Sequence, residues 1–434
     1  MSLIQMKSTA LNSGKVFFML FIILMTGRAN PLLGFKVAEN PILMPVYLLI
    51  LIFFFAKYCK RPPSLKFSVV LVAFFVWYIA TCIKWGGVQP IYMVMIYNGI
   101  MAYIAIHMYR GREFFYYFEK VLVFLGAISL VVWTSNILFP AFTVAFMKAI
   151  SLLPGPNDTG TMLTNSFIVG LGQQKTDFGI IRNIGFTWEA GRFSCYLSLG
   201  MFFNLVLRNF KFPTLKSNRS FYILFFCLLS TISTTGYMIF LWVAMAYIFN
   251  KSQMSRVAMF FLFALVLPFI MGISFMGDKI VDLMNVEQEI SRMQWTFANT
   301  SVSAITPQRF TGLYLDWLNW KNDFWLGYNV NEQTFANRVL FKGKSVWVSE
   351  GVLQIFAMYG LFIGFLFYYL LLKSSTYWSN FFRYKGVFLF IVLFLLMNIS
   401  YDFWANNISL YLLFYPLFYK LKIGSPVQPK YLSK

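Results

Sequence analysis

A chain of 434 residues with 59% hydrophobic and only 12% charged residues is not an ordinary soluble domain, where roughly a quarter of residues carry charge. Runs such as Phe67 to Cys82 and Val121 to Leu138 hold no charge, and a helix crossing the hydrocarbon core of a bilayer needs about 20 such residues. The formal charge of +21 is tested first against the bias that places Lys and Arg on the cytoplasmic side of membrane proteins.

Apolar runs between polar breaks predict spans near 14–27, 41–57, 67–83, 91–108, 120–138 and 188–207, then near 221–234, 236–250, 257–274, 349–372, 386–400 and 407–420. The first run follows Lys7 and Lys15 as the core of a signal peptide would. No A-x-A-like cleavage site follows in Met25-Thr-Gly-Arg-Ala-Asn30, so an uncleaved span is expected. The stretch from Phe221 to Asn250 reads as one overlong helix or two short ones. Ser230, Thr231, Ser233, Thr234, Thr235 and Gly236 supply a polar turn midway, where small residues end helices cheaply.

Charge decides between these readings. With two helices, the loops at 57–66, 110–120, 208–219, 251–256 and 373–385 share one side with both termini. That side holds 22 of the 36 Lys and Arg residues against only Glu113 and Glu119, and the other holds 14 basic and 13 acidic residues. The sequence therefore predicts an all-α integral membrane protein of about twelve spans, residues 1–434 forming a single polytopic domain with both ends in the cytoplasm. The basic residues are scattered over seven short segments rather than gathered in a soluble domain, so no nucleic-acid partner is expected.

Cys59, Cys82, Cys195 and Cys227 lie in or beside apolar runs without paired spacing, and the single histidine, His107, sits beside a basic loop. Neither a disulfide framework nor a metal site is expected, nor a Ser-His pair on the outer side.

Two outer loops are long, 139–187 and 275–348, and long loops usually carry function or their own structure. In the second, Thr306-Pro307 predicts a helix over about 307–322. Phe310, Leu313, Tyr314, Trp317 and Leu318 follow the spacing of one apolar face, with Arg309, Asp316 and Lys321 read as off that stripe. Such a helix is expected to rest on the bundle or at the membrane surface.

No span carries a charge near its middle, where ion-driven carriers typically place one. The outer charges gather where spans meet the large loops. One group runs from Ile181 to Arg192; Thr187 is the expected N-cap, which puts Glu189 in the first helical turn. Arg192 follows on the same face, and Gly185 and Gly191 leave room for a ligand or another helix. A second group joins Arg309, Asp316, Trp317, Trp320 and Lys321 to Phe324-Trp325-Leu326-Gly327-Tyr328-Asn329, and a third is Ser349-Glu350-Gly351. The plain structural reading is interfacial anchoring by Glu–Arg pairs and an aromatic belt. The chemical reading notes that Arg forks bind phosphate, flat aromatic faces suit sugar rings, and a carboxylate accepts a hydroxyl proton. Together these fit a polyprenyl-diphosphate-linked sugar.

The stretch Arg182-x-x-Gly185-Phe186-x-x-Glu189-x-Gly191-x-x-Ser194 resembles the R-x-x-G-F-x-E/N-P-type motif of the O-antigen polymerase (Wzy) and O-antigen ligase superfamily. Arg309 followed by Trp320 to Asn329 is similar to its "R … W … P-x-G-x-G" outer-loop pattern, and Gly360-Leu-Phe-Ile-Gly364 resembles the start of the following helix. The matches come in the family's order over residues 180–370. Two departures stand out: Asn329 replaces the second glycine, and Ser349-Glu350 stand where ligases usually carry His-Asn. The chain therefore looks more like a polymerase than a ligase, and its long loops and lack of an internal charged cavity set aside a lipid-linked oligosaccharide flippase or exporter.

The resemblance implies a GT-C-like bundle and an inverting, metal-independent glycosyltransferase without a cofactor, in the bacterial inner membrane with its active face in the periplasm. It would transfer a growing glycan from undecaprenyl diphosphate onto a new lipid-linked repeat unit, with a chain-length-regulator protein as partner. Arg182 and Arg309 would hold the donor diphosphate, and Glu189 or Glu350 would be the base, with Arg192 orienting Glu189. Gly185, Asp316, Trp320, Lys321 and Asn329 would line the substrate site.

Overall fold

The structure, a computed structural model, describes residues 12–25, 43–60, 62–86, 91–151, 162–166, 168–172, 179–211, 214–251, 285–302, 304–328, 334–346, 348, 351–404 and 406–419. The expected span near 257–274 lies outside the described residues. The chain begins with α1 (Ser13–Met25), α2 (Leu43–Tyr58), α3 (Leu65–Trp85), α4 (Ile91–Met108) and α5 (Arg112–Leu138). A short α6 (Pro140–Ala149) and an antiparallel pair, β1 (Met162–Asn165) with β2 (Gly170–Gly172), occupy the first long loop. Next come α7 (Ala190–Leu207), α8 (Arg219–Thr231) and α9 (Thr234–Lys251). The second loop contains α10 (Val286–Asn299), β3 (Ala304–Ile305), α11 (Arg309–Asn322), α12 (Phe335–Val339) and β4 (Ser345–Val346), with β3 and β4 parallel. Last are α13 (Gln354–Phe382), α14 (Phe388–Ser400) and α15 (Asn407–Phe418).

Helices α3, α5, α7 and α13 are long and apolar enough to cross a membrane, and shorter apolar helices accompany them. The two small sheets depart from the all-α expectation. Both sit in the long loops and are only two to four residues per strand.

Contacts between helix termini sort the bundle into two ends. At one end Lys15 pairs with Glu113 at 2.7 Å, and the Lys385 N–H donates to Asn250 at 2.7 Å. There too the buried Glu119 accepts from Arg208 and Asn204, and Asn204 exchanges hydrogen bonds with Asn218. A charge buried this way is tolerated because each of its oxygens has partners. At the opposite end, the Ser194 hydroxyl near the start of α7 donates to Ser233 in the α8–α9 junction.

The stretch 221–250 forms two helices, as the polar turn predicts. Ile232 takes a left-handed conformation, φ 47°, and the Ser233 hydroxyl accepts the Gly236 N–H at 3.3 Å. Asn218 and Asn250, at the outer ends of the pair, both lie at the basic end. The chain therefore crosses the bundle and returns.

Helix α11 lies across the other end. Its first residue, Arg309, meets Glu189 beside α7, and Asp323, just past its last turn, pairs with Lys84 of α3 at 2.7 Å. Its buried face is Thr311, Gly312, Leu315, Asp316 and Asn319, whereas Phe310, Tyr314 and Trp317 are exposed. Of the two expected placements, on the bundle or at the membrane surface, the row is thus not the face packed on the protein, and Lys321 continues the exposed row instead of lying off it. The cause is the small core it meets: Leu315 joins Met293, Phe297, Ala336 and Phe341, while Asn319 accepts the Ala336 N–H at 2.9 Å. The helix start also differs. Gln308 is the capping residue and caps nothing with its own side chain. Glu289 of α10 braces this end instead, accepting the Gln308 N–H at 2.7 Å and the Thr311 hydroxyl.

The segment that follows α11 enters a break in α13. Gly360 has φ 75° and ψ −177°, which interrupts the helical hydrogen bonds there. Phe324–Tyr328 fills the gap: Leu361 N–H donates to the Phe324 carbonyl at 2.9 Å, and Tyr328 N–H donates to the Ala357 carbonyl at 2.8 Å. Gly327 and Gly360 let the two backbones touch. A methyl group on Gly327 would collide with the Met358 carbonyl, and one on Gly360 with the Trp325 carbonyl.

Candidate functional site

The approach to α7 is held on three sides. Trp133 of α5 donates to the Ile181 carbonyl at 2.7 Å, and Gly170 of β2 donates to the Gly185 carbonyl at 2.7 Å. Asn183 bonds the α8–α9 junction with both backbone and side chain, at Ser230. Gly185, φ 56°, is required because a Cβ there would lie 2.5 Å from the Phe193 ring. Its role is close packing rather than room for a ligand.

Thr187 lies within hydrogen-bond distance of the Ile184 and Glu189 carbonyls and is not the cap of α7. Glu189 is the N-cap residue, extended at φ −147° and ψ 138°, and its side chain does not cap its own helix. The carboxylate instead reaches Arg309, with an O–N separation of 3.9 Å. That is an ion pair looser than a direct hydrogen bond.

Tyr401, which closes α14, organises the cluster. Its ring centre is 4.6 Å from the Arg192 guanidinium and 4.7 Å from that of Arg309; Arg192 also lies 5.2 Å from the Trp188 ring. An aromatic face attracts a cation by about 0.5–2 kcal/mol, which offsets the repulsion between two guanidiniums gathered near one ring. The Tyr401 hydroxyl faces Gly191, where a Cβ would lie 2.6 Å away, and Glu189. Burial, then the Glu189 charge, pushes the phenol well above its ordinary range, so it stays protonated beside that carboxylate. Tyr401 is 2% exposed, whereas the Glu189 and Arg309 side chains keep 25% and 23%. The charges are open to solvent over a buried aromatic floor.

The other expected site residues separate. Arg182 donates from Nε to the Thr231 carbonyl at 3.1 Å, in the junction that also meets Ser194. Asp316 is fully buried on the inward face of α11, which removes it from any substrate surface. The Trp320 ring is stacked on Phe324 at 5.3 Å and tilted against Phe356 at 4.8 Å; its surroundings are aromatic packing. Lys321 is exposed at the far end of α11 from Arg309. Glu350 and Asn329 lie outside the described residues. Gly351, next to Glu350, donates to the Asn398 carbonyl and accepts from Trp404, both at 2.6 Å, so the chain leading into α13 is pinned to the turn that carries Tyr401.

Charge and spacing do not point to Tyr401 or Glu289. The signal for the first is the break Tyr401-Asp402 between two apolar runs, too short to stand out as a loop. Glu289 carries no local signal, because its partners lie about 20 residues away. A crevice of about 10 Å³ beside Arg182 is lined by Ser129, Trp133 and Gly172 among others. That is room for about one water, not for a ligand. No family model and no curated protein matches the sequence.

Proposed function

We infer that this chain is a surface-polysaccharide polymerase of the bacterial inner membrane, with twelve spans and the cluster around Tyr401 on the periplasmic face. The supporting observation is one acid and two arginines gathered at a buried ring at the starts of α7 and α11, open to solvent and beside the membrane-crossing helices. Motifs resembling the O-antigen polymerases surround it in the expected order.

In this reading Glu189 accepts the proton of an acceptor hydroxyl, and that oxygen attacks the anomeric carbon of the donor. The bond to undecaprenyl diphosphate breaks with inversion, and the diphosphate leaves with its charge stabilised by Arg309 and Arg192. Such electrostatic stabilisation is commonly the largest rate term, and it requires no metal. The loose Glu189–Arg309 pair has a use here. An arriving diphosphate competes for Arg309 and frees the carboxylate to act as base. Arg182, which the resemblance also casts as a diphosphate ligand, is anchored on the Thr231 carbonyl at the neighbouring junction and stands apart from this cluster. Two lipid-linked oligosaccharides are the substrates, and a chain-length regulator is the expected partner.

Deleting the gene in its host and running the surface glycan on a gel tests the class of reaction. Loss of a polymerase leaves single repeat units on the lipid anchor. Loss of a ligase removes all attached glycan, and loss of a flippase removes surface repeats altogether. An unchanged ladder would reject all three.

A further inference from the structure

We propose that α11 is an interfacial helix whose aromatic row, Phe310, Tyr314 and Trp317, is immersed in the bilayer at the site end of the bundle, with Lys321 reaching the lipid phosphates. This does not depend on the glycan chemistry. It rests on where the two ends of the helix are tied and on which face is turned out.

Helix α3 has 21 residues, a rise of about 31 Å, which matches a hydrocarbon core of about 30 Å. Its terminal Lys84 and Trp85 therefore mark the bilayer boundary. Asp323 pairs with Lys84, so the C-terminal end of α11 sits at that depth, and the Trp77 indole, about two turns further into α3, donates to the Leu326 carbonyl at 3.2 Å and draws the following segment into the bundle. The other end, at Arg309, is tied to the start of α7 and the end of α14. With both ends held at helix termini, α11 runs along the membrane plane.

The outward row then needs a partner, because three large aromatic side chains in a water-facing row cost apolar surface. The inward face is already filled by the small core and by Glu289. Continuity identifies the occupant. Trp325, 59% exposed, stacks at 5.5 Å on Phe362, 66% exposed. Phe362 opens the outward stripe of α13, which continues through Phe365, Tyr369 and Leu372. On a helix long and apolar enough to cross a membrane, that stripe faces lipid. The α11 row thus meets the same lipid. Aromatic side chains with a flanking Lys are the composition of an interfacial helix.

Photo-crosslinking of the full chain in native membranes tests this, with p-benzoylphenylalanine placed singly at Tyr314, Trp317, Phe362 and Asn299. Asn299 is exposed at the end of α10 and serves as the water-facing control. After illumination, Tyr314 and Trp317 variants are expected to gain a phospholipid-sized mass, as Phe362 does, while Asn299 does not. Labelling at Phe362 with none at Tyr314 and Trp317 would overturn the proposal, and so would a crosslinked second copy of the chain at those two positions. Monodisperse behaviour in detergent separates either result from misfolding.

Discussion

Glu189, Arg192, Arg309 and Tyr401 come from three distant parts of the chain, and each is understandable from its immediate neighbours. Glu189 is available because it precedes the first turn of α7 and leaves its own helix uncapped. Tyr401 matters in two ways, as a ring beside two guanidiniums and as a hydroxyl facing a carboxylate. The two functions are separable. Tyr401→Ala removes both and should lower the transfer rate at least about fivefold, since two ring–cation contacts of about 0.5–2 kcal/mol each give at least about 1 kcal/mol and about 1.4 kcal/mol is a factor of ten. Tyr401→Phe keeps the ring and should lose less. Rates measured on membranes with equal protein decide; wild-type rates from both variants would remove Tyr401 from the site. The charged members were legible in the sequence as outer-face residues at the edge of a span. The tyrosine was not, because a tyrosine at the end of an apolar run also fits an ordinary aromatic belt.

At the scale of elements, the glycines that resemble an outer-loop motif serve backbone packing. Gly327 and Gly360 let the segment after α11 fill the break in α13, which in turn holds α11 in place. Gly360→Ala should therefore lower the thermal unfolding temperature and reduce activity. Gly343→Ala is the matched control: its φ is 84°, but nothing lies within 4 Å of the added methyl, so it carries only the backbone strain of about 1–3 kcal/mol. Equal unfolding temperatures for the two variants would contradict the backbone contact. The presence of α11 was legible from its spacing, but its facing was not. A hydrophobic stripe indicates that one face leaves water; it does not distinguish a protein interior from lipid, and here the small and polar face turned inward. The start of that helix was misplaced for a related reason, since Glu289 braces it from another helix and leaves no trace in the residues around Thr306.

For the whole molecule, composition was enough to indicate apolar helices, and charge to place a break inside 221–250, which the structure shows between Thr231 and Thr234. Pairing between remote segments was beyond such reading. Glu189 and Arg309 are 120 positions apart, and nothing local to either indicates the other. The bundle has a basic end, where Lys15 pairs with Glu113 and Arg208 with the buried Glu119, and an opposite end where helix starts, loops and the Tyr401 cluster converge. This polarity supports placing the proposed reaction at the second end. The most direct test uses purified protein in lipid, given the undecaprenyl-diphosphate-linked repeat unit. Wild-type protein is expected to lengthen it to multiple repeats, while Glu189→Gln and Arg309→Ala, inserted in equal amount, leave single units. Lengthening by both variants at the wild-type rate, or none by the wild type, would contradict the assignment.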